Sequence, residues 1–183
     1  MRIVAGTARG RPLLAPKGKG IRPTADRVRE TVFNVLGQWM EGRRVLDLYA
    51  GTGALGLEAL SRGADRAVLV DDDREAARLC RENADALGFS GRVEILALPV
   101  PRAAQLLAQR QERFDLVFAD PPYAARALPD VLELVARHRL LLPGGTLVIE
   151  HDRREPAPEA DAEFARADQR RFGGTLVSLY RSA

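Results

Sequence analysis

The chain has 183 residues, with 28 Lys and Arg against 25 Asp and Glu and a formal net charge of +3. That length suits one domain with a small appendage, large enough to bury a core without staples, and a single cysteine, Cys80, excludes an intramolecular disulfide. No apolar run approaches the roughly 18 residues of a membrane span and no signal-peptide core opens the chain, so a soluble, cytoplasmic protein is expected.

Charge is distributed unevenly. Residues 1–30 hold Arg2, Arg9, Arg11, Lys17, Lys19, Arg22, Arg27 and Arg29 against Asp26 and Glu30, a local balance of +6 that leaves the remainder at −3. A basic arm on a mildly acidic body suits a polyanionic partner entering from one side, and equally suits a solvated extension.

Residues 2–15 alternate short β-prone pieces with turns (Arg2–Ala5, Gly6–Gly10, Leu13-Leu14) and predict a hairpin. A basic loop, Pro16–Gly20, follows. Thr24 is expected to cap a helix reaching about Leu36, with Asp26 in its first turn and Gly37 as its stop. Val28, Val32, Val35, Leu36 and Trp39 would form its apolar side, and Arg27, Glu30 and Asn34 the other.

From Arg43 onward strands and helices alternate. Strands are predicted at Val45–Tyr49, Ala67–Asp71, Val93–Leu98, Phe114–Ala119 and Thr146–Glu150, with helices near Ala54–Arg62, Arg74–Leu87, Ala103–Arg110 and Pro129–His138. Cys80 falls on the apolar side of its helix, as a small core residue would. Repeated βα units of this length predict a doubly wound α/β fold, a parallel sheet with helices on both faces. After the Pro-rich loop Glu155–Pro158, Phe164–Ala167 and Leu176–Tyr180 flank Gly173-Gly174, which predicts an antiparallel terminal hairpin at one sheet edge. The division expected is residues 1–42 as a basic hairpin-plus-helix extension and residues 43–183 as the main domain.

Two motifs carry chemistry. The first strand runs through Asp47 into Tyr49-Ala50-Gly51-Thr52-Gly53, and Gly51, Gly53 and Gly56 fit the spacing G-x-G-x-x-G. Such a turn sits beyond the carboxyl ends of the strands, where open α/β sheets bind ligands. Asp71, twenty positions after Gly51, ends the second strand and could accept hydrogen bonds from ribose hydroxyls. Asp72 follows as a second contact near the adenosine, and Asp73 is expected to cap the next helix. This pattern suits NAD and S-adenosylmethionine alike. Asp47 favours the second: a carboxylate there can meet the cationic amino end of a methionine moiety, whereas it would oppose a pyrophosphate. A dehydrogenase also needs a substrate domain with an acid–base residue, and only His138 and His151 are present with no length left to hold them.

The second motif, Asp120-Pro121-Pro122-Tyr123, closes the fourth strand, which in such sheets neighbours the first. The exocyclic amine of a nucleobase is a poor nucleophile, because its lone pair is delocalised into the ring. The Asp120 carboxylate and the Pro121 carbonyl could accept its two N–H groups and aim the lone pair at a sulfonium methyl, which is orientation and electrostatic catalysis. Pro121 and Pro122 stiffen the loop and remove competing donors. Tyr123 offers a flat face for an extruded base.

These residues resemble the bacterial 16S rRNA guanine-N2 methyltransferase family, within the class I S-adenosylmethionine-dependent methyltransferases. The similarity includes Arg2–Gly6 with Arg9-Gly10-Arg11, the stretch from Arg22 to Asn34 (R-P-T-A-D-R-V-R-E-T-V-F-N), and Asp47 to Gly63. It covers essentially the whole chain. The resemblance implies a seven-stranded methyltransferase sheet, S-adenosylmethionine as cofactor, no metal, and methyl transfer to guanine N2 of 16S rRNA within a small-subunit particle. Under that reading Arg22, Arg27 and Arg29 at the first helix would meet phosphates, and Arg9, Arg11, Lys17 and Lys19 would follow the folded RNA. One departure concerns the segment after the third strand: it reads Ala97-Leu98-Pro99-Val100 where such proteins often place Asp or Asn, so backbone groups and apolar packing are expected to hold the adenine. The alternatives are amino-group methylation of DNA adenine N6 or of a protein glutamine, a noncatalytic RNA-binding assembly factor, and a small NAD-dependent reductase.

Overall fold

The computed structural model describes residues 1–16, 23–122, 127–160 and 163–183. In chain order its elements are α1 (Pro23–Leu36), β1 (Arg44–Leu48), α2 (Ala54–Ser61), β2 (Arg66–Val70), α3 (Arg74–Leu87), β3 (Val93–Leu96), α4 (Val100–Gln109), β4 (Phe114–Ala119), α5 (Ala127–Arg137), β5 (Leu141–Asp152), β6 (Phe164–Phe172) and β7 (Thr175–Ser182). They build a seven-stranded sheet in the order β3-β2-β1-β4-β5-β7-β6. The first five strands run parallel, and β7 lies antiparallel to both β5 and β6. This is the mostly parallel, doubly wound sheet with a terminal hairpin that the alternation of elements predicts. No helix among the described residues is long and apolar enough to cross a membrane.

Period-two alternation divides the strand residues between two core layers. Val45, Ala67, Leu69, Leu116, Phe118, Val148, Val177 and Leu179 join a layer with Phe33 of α1, Leu57 of α2 and Cys80 of α3. Leu46, Leu48, Val68, Val117, Ala119, Leu147, Ile149 and Tyr180 face the other way, toward α4 and α5. Asp47 thus shares the face of Val45, with α1, α2 and α3.

The N-terminal hairpin is held by a few backbone bonds, Ile3 N–H to the Arg11 carbonyl at 3.0 Å and Gly10 N–H to the Ile3 carbonyl at 2.8 Å among them. It packs as part of the core, with Ile3, Ala8 and Leu13 buried. Glu58 on α2 is the anchor: its carboxylate accepts the backbone N–H of Val4 at 2.7 Å and of Ala5 at 2.9 Å. Ser61 adds a second tie, accepting the Ala8 N–H at 2.9 Å and donating to the Ala5 carbonyl at 2.6 Å.

Several boundaries differ from the sequence reading. The first helix already includes Pro23, so Thr24 lies within its first turn; the side chains of Thr24 and Asp26 lie outside the described ones. Proline suits that first position because its missing N–H has no helical partner to lose. Trp39 is 77% exposed rather than part of the apolar side; the left-handed Gly37 (φ 93°) turns the chain before it. α4 starts at Val100, using Pro101 in its first turn. β5 begins at Leu141 because a register shift between Phe114 and Leu116 absorbs Pro143-Gly144-Gly145. β6 continues through the polar run Asp168–Arg171, which an edge strand tolerates since one rim meets water.

Candidate active site

The glycine turn leaves β1 under two constraints. Gly51 (φ 57°) is left-handed, and a Cβ there would meet nothing within 4 Å, so backbone conformation rather than space requires glycine. Gly56 has the opposite reason: a Cβ would stand 2.3 Å from Leu69 Cδ2, so any larger residue would push that buried side chain out of its place between α2 and β2. Gly53 (φ 77°) precedes α2 and is buried against Leu57, Leu69 and Cys80. It shapes the turn and does not line the opening. Tyr49 is itself left-handed at φ 63°, uncommon for a residue with a side chain.

Beyond the strand ends lies a cavity of about 410 Å³ lined by Met1, Val28, Arg29, Asp47, Tyr49, Ala50, Gly51, Thr52, Ala54, Leu55, Asp120, Glu150, Phe172 and Thr175. Its size falls within the range of small-molecule sites. Asp47 and Asp120, from adjacent strands, therefore share one crevice with the turn. Pro121 is buried and Pro122 exposed. Tyr123 lies outside the described residues, as do Lys17, Lys19 and Arg22.

Asp47 is 2% exposed and accepts the Gly56 N–H at 3.0 Å. Burial lifts its carboxyl from 3.8 to about 7, the Gly56 bond pulls it back, and the charges of Asp120 and Asp71 push the same way as burial. A cation delivered to that carboxylate would relieve the penalty, which is how the residues present fit the ammonium end of S-adenosylmethionine. Asp120 opens to solvent at the crevice mouth, while protein packed behind it raises its carboxyl to about 6.

The remaining expectations receive specific placements. Asp71 braces the turn, its Oδ2 accepting the Gly51 N–H at 2.8 Å and its Oδ1 the Asp73 N–H at 3.0 Å; each oxygen keeps a second lone pair. Asp72 is exposed, and neither residue is part of the cavity lining. Asp73 caps α3 through the Glu75 N–H at 2.8 Å. Past β3, Leu98 is half-buried beside exposed Ala97 and Pro99.

Among the arm residues, Arg9 and Arg27 are exposed, and Arg11, also exposed, donates to the Ala86 carbonyl. Arg29 corrects the sequence reading: it is 3% exposed, paired with Glu58 at 3.4 Å and donating to the Arg2 carbonyl. A side chain so enclosed locks the arm to the domain and does not reach out to a phosphate. His151 is buried on the opposite sheet face, with Nε2 2.8 Å from Ser178 Oγ, so it takes no part in the crevice.

Sequence reasoning missed Glu150, Phe172 and Thr175 in the lining, and Asn83. Asn83 Nδ2 donates to the carbonyls of Leu14 (3.1 Å) and Thr52 (2.9 Å), while its Oδ1 accepts the Leu14 N–H at 2.7 Å. One side chain thereby ties the arm to the glycine turn. Its visible signal is a buried-side asparagine within an otherwise apolar helix stripe.

A family model described as "Conserved hypothetical protein 95" matches residues 1–181. The chain is 36% identical over 181 residues to "Putative rRNA methyltransferase YlbH" of Bacillus subtilis, covering 99% of this chain and 98% of that protein. It is 34% identical to "Ribosomal RNA small subunit methyltransferase D" of Escherichia coli K12, covering 99% and 89%. Among solved structures, "Putative methyltransferase yhhF" from Escherichia coli superimposes with a TM-score of 0.86 at 34% identity, over 100% of this chain and 97% of the other.

Proposed function

The chain belongs to the conserved hypothetical protein 95 family, and from that premise we propose that it is an S-adenosylmethionine-dependent rRNA methyltransferase acting on guanine N2 of 16S rRNA, within a small-subunit particle. The observation that carries this reading is the single crevice lined by the glycine turn, Asp47 and Asp120. Relatives named as rRNA methyltransferases over nearly the full chain support the substrate class.

When bound, S-adenosylmethionine supplies an electrophilic methyl group on a sulfonium. Asp47 holds the cationic amino end, and Tyr49 to Thr52 form the wall against which the donor lies, with Gly53 fixing the turn behind them. Asp71 sets the turn through the Gly51 N–H and would accept the ribose hydroxyls on its remaining lone pairs, with Asp72 toward the adenosine. Asp120 and the Pro121 carbonyl accept the N–H groups of the guanine amine and so direct its lone pair. Transfer would form the N2–C bond as the donor's S–C bond breaks, the sulfur leaving as a neutral thioether, and N2 would give up one proton, which the Asp120 carboxylate could accept. Pro122 keeps the loop rigid and Tyr123 stacks on the base. Exposed Arg9, Arg11 and Arg27, with Lys17, Lys19 and Arg22, contact RNA phosphates.

Asp47→Asn tests the donor assignment. The native carboxyl titrates near 7 instead of 3.8, so the folded state holds its proton more tightly, and the associated stability is complete below about pH 4 and lost as pH rises through 7. Asparagine mimics the neutral form and keeps an acceptor for Gly56. The variant is expected to be more stable at pH 8 by on the order of 1–4 kcal/mol in urea unfolding, and to bind S-adenosylmethionine at least about thirtyfold more weakly by calorimetry. Wild-type affinity in the variant would refute the assignment.

A further inference from the structure

Glu150 is the carboxylate in the crevice to which the reaction as described gives no task. It follows Ile149 on β5, which pairs with Ala119 of β4, so Glu150 stands level with Asp120 on the neighbouring strand. Alternation puts both on one sheet face, since Phe118 and Val148, two residues before each, belong to the same core layer. Both line the crevice. Both also border a small apolar recess formed with Val28, Val32, Leu55, Val148 and Val177. Asp47, Asp120 and Glu150 thus succeed one another along the tops of β1, β4 and β5, on the side that α1 and α2 cover.

We propose that Glu150 accepts the N1–H of the target base beside the amine held by Asp120, and so selects guanine over adenine and over any purine lacking a proton at N1. The inference rests on the guanine-N2 reading. Guanine presents two adjacent donors on its Watson–Crick edge, N1–H and the N2 amine, and two acceptor-only carboxylates from neighbouring strands match that pair. Adenine presents a lone pair at N1, which an ionised carboxylate repels. The apolar recess behind the pair offers no alternative polar partner among the described residues, and sites that pair a substrate's donors reject the analogue lacking them more strongly than apolar pockets do. Phe172, half-buried in the same lining, supplies a flat apolar surface on the acceptor side.

The test uses 16S rRNA assembled by ligation so that the methylated position carries either guanine or 2-aminopurine, which keeps the N2 amine but has a lone pair at N1. Wild-type enzyme is expected to favour guanine by about a hundredfold or more in kcat/KM. In Glu150→Gln, whose amide can turn an N–H toward that lone pair, the preference should shrink to within about tenfold, with S-adenosylmethionine affinity near wild type showing that the crevice stays folded. A guanine preference of equal size in the variant overturns the proposal while leaving methylation of N2 intact. Equal rates on the two substrates in the wild type overturn it without need of any variant. A methyl group mapped to another atom in the wild-type product overturns both the proposal and the reading beneath it.

Discussion

Asp120→Ala lowers methyl transfer by about two to three orders of magnitude in kcat while the affinity for S-adenosylmethionine stays within a few-fold of wild type. The expectation follows from where the residue sits: at the mouth of the crevice, on the strand beside Asp47, closing β4. Under the proposed assignment it serves the acceptor and not the donor. Its carboxyl, raised to about 6, must be ionised to accept an amine proton, so kcat at saturating donor should climb with pH through about 6 and level roughly a unit above it. Asp120→Asn separates two roles for the carboxylate. If orientation dominates, the remaining carbonyl oxygen preserves a substantial share of the rate and the acidic limb disappears. If proton acceptance dominates, asparagine is nearly as damaging as alanine. Near-normal turnover in Asp120→Ala would remove Asp120 from the chemistry altogether.

Glu58→Ala destabilises the protein by about 3–5 kcal/mol in urea unfolding, the cost expected when one member of a buried ionic cluster is removed. Glu58 is fully buried between Arg62 at 2.8 Å and Arg29 at 3.4 Å, both 3% exposed. The substitution leaves two guanidinium groups without their shared counter-charge and deprives the Val4 and Ala5 N–H groups of their acceptor. The loss is therefore local as well as global: amide exchange at Val4 and Ala5 accelerates before that of β1 or β4. Because Met1 and Arg29 also line the crevice, methyl transfer falls more than the loss of folded protein alone explains. A destabilisation below about 1 kcal/mol, with Val4 and Ala5 still protected, would contradict the anchoring role.

Much of this arrangement is legible before any coordinates. Sheet periodicity, the glycine spacing, the Asp73 cap, the buried Cys80 and the Gly173-Gly174 hairpin are local signals, each fixed by neighbours a few residues away. What escapes the sequence depends on distant partners. Nothing local marks Glu58 as a buried anchor; the arm 54 residues earlier makes it one, and its pairing with Arg29 turns that residue from a candidate phosphate ligand into an enclosed one. Glu150 reads as the polar end of a strand until β4 and β5 are set side by side. The extension of β5 back to Leu141 hides behind Pro143-Gly144-Gly145, which resembles a turn wherever no register shift is available to absorb it. Trp39 misleads in the other direction, since helical spacing places it on an apolar face that the chain leaves at Gly37.

The most direct measurement is transfer of labelled methyl from S-adenosylmethionine to naked 16S rRNA and to 30S particles, with the modified nucleotide identified by digestion and mass spectrometry. The account predicts label at one guanine, on N2, with higher efficiency on the particle. Label on adenine, on protein, or on no component of either substrate would contradict it.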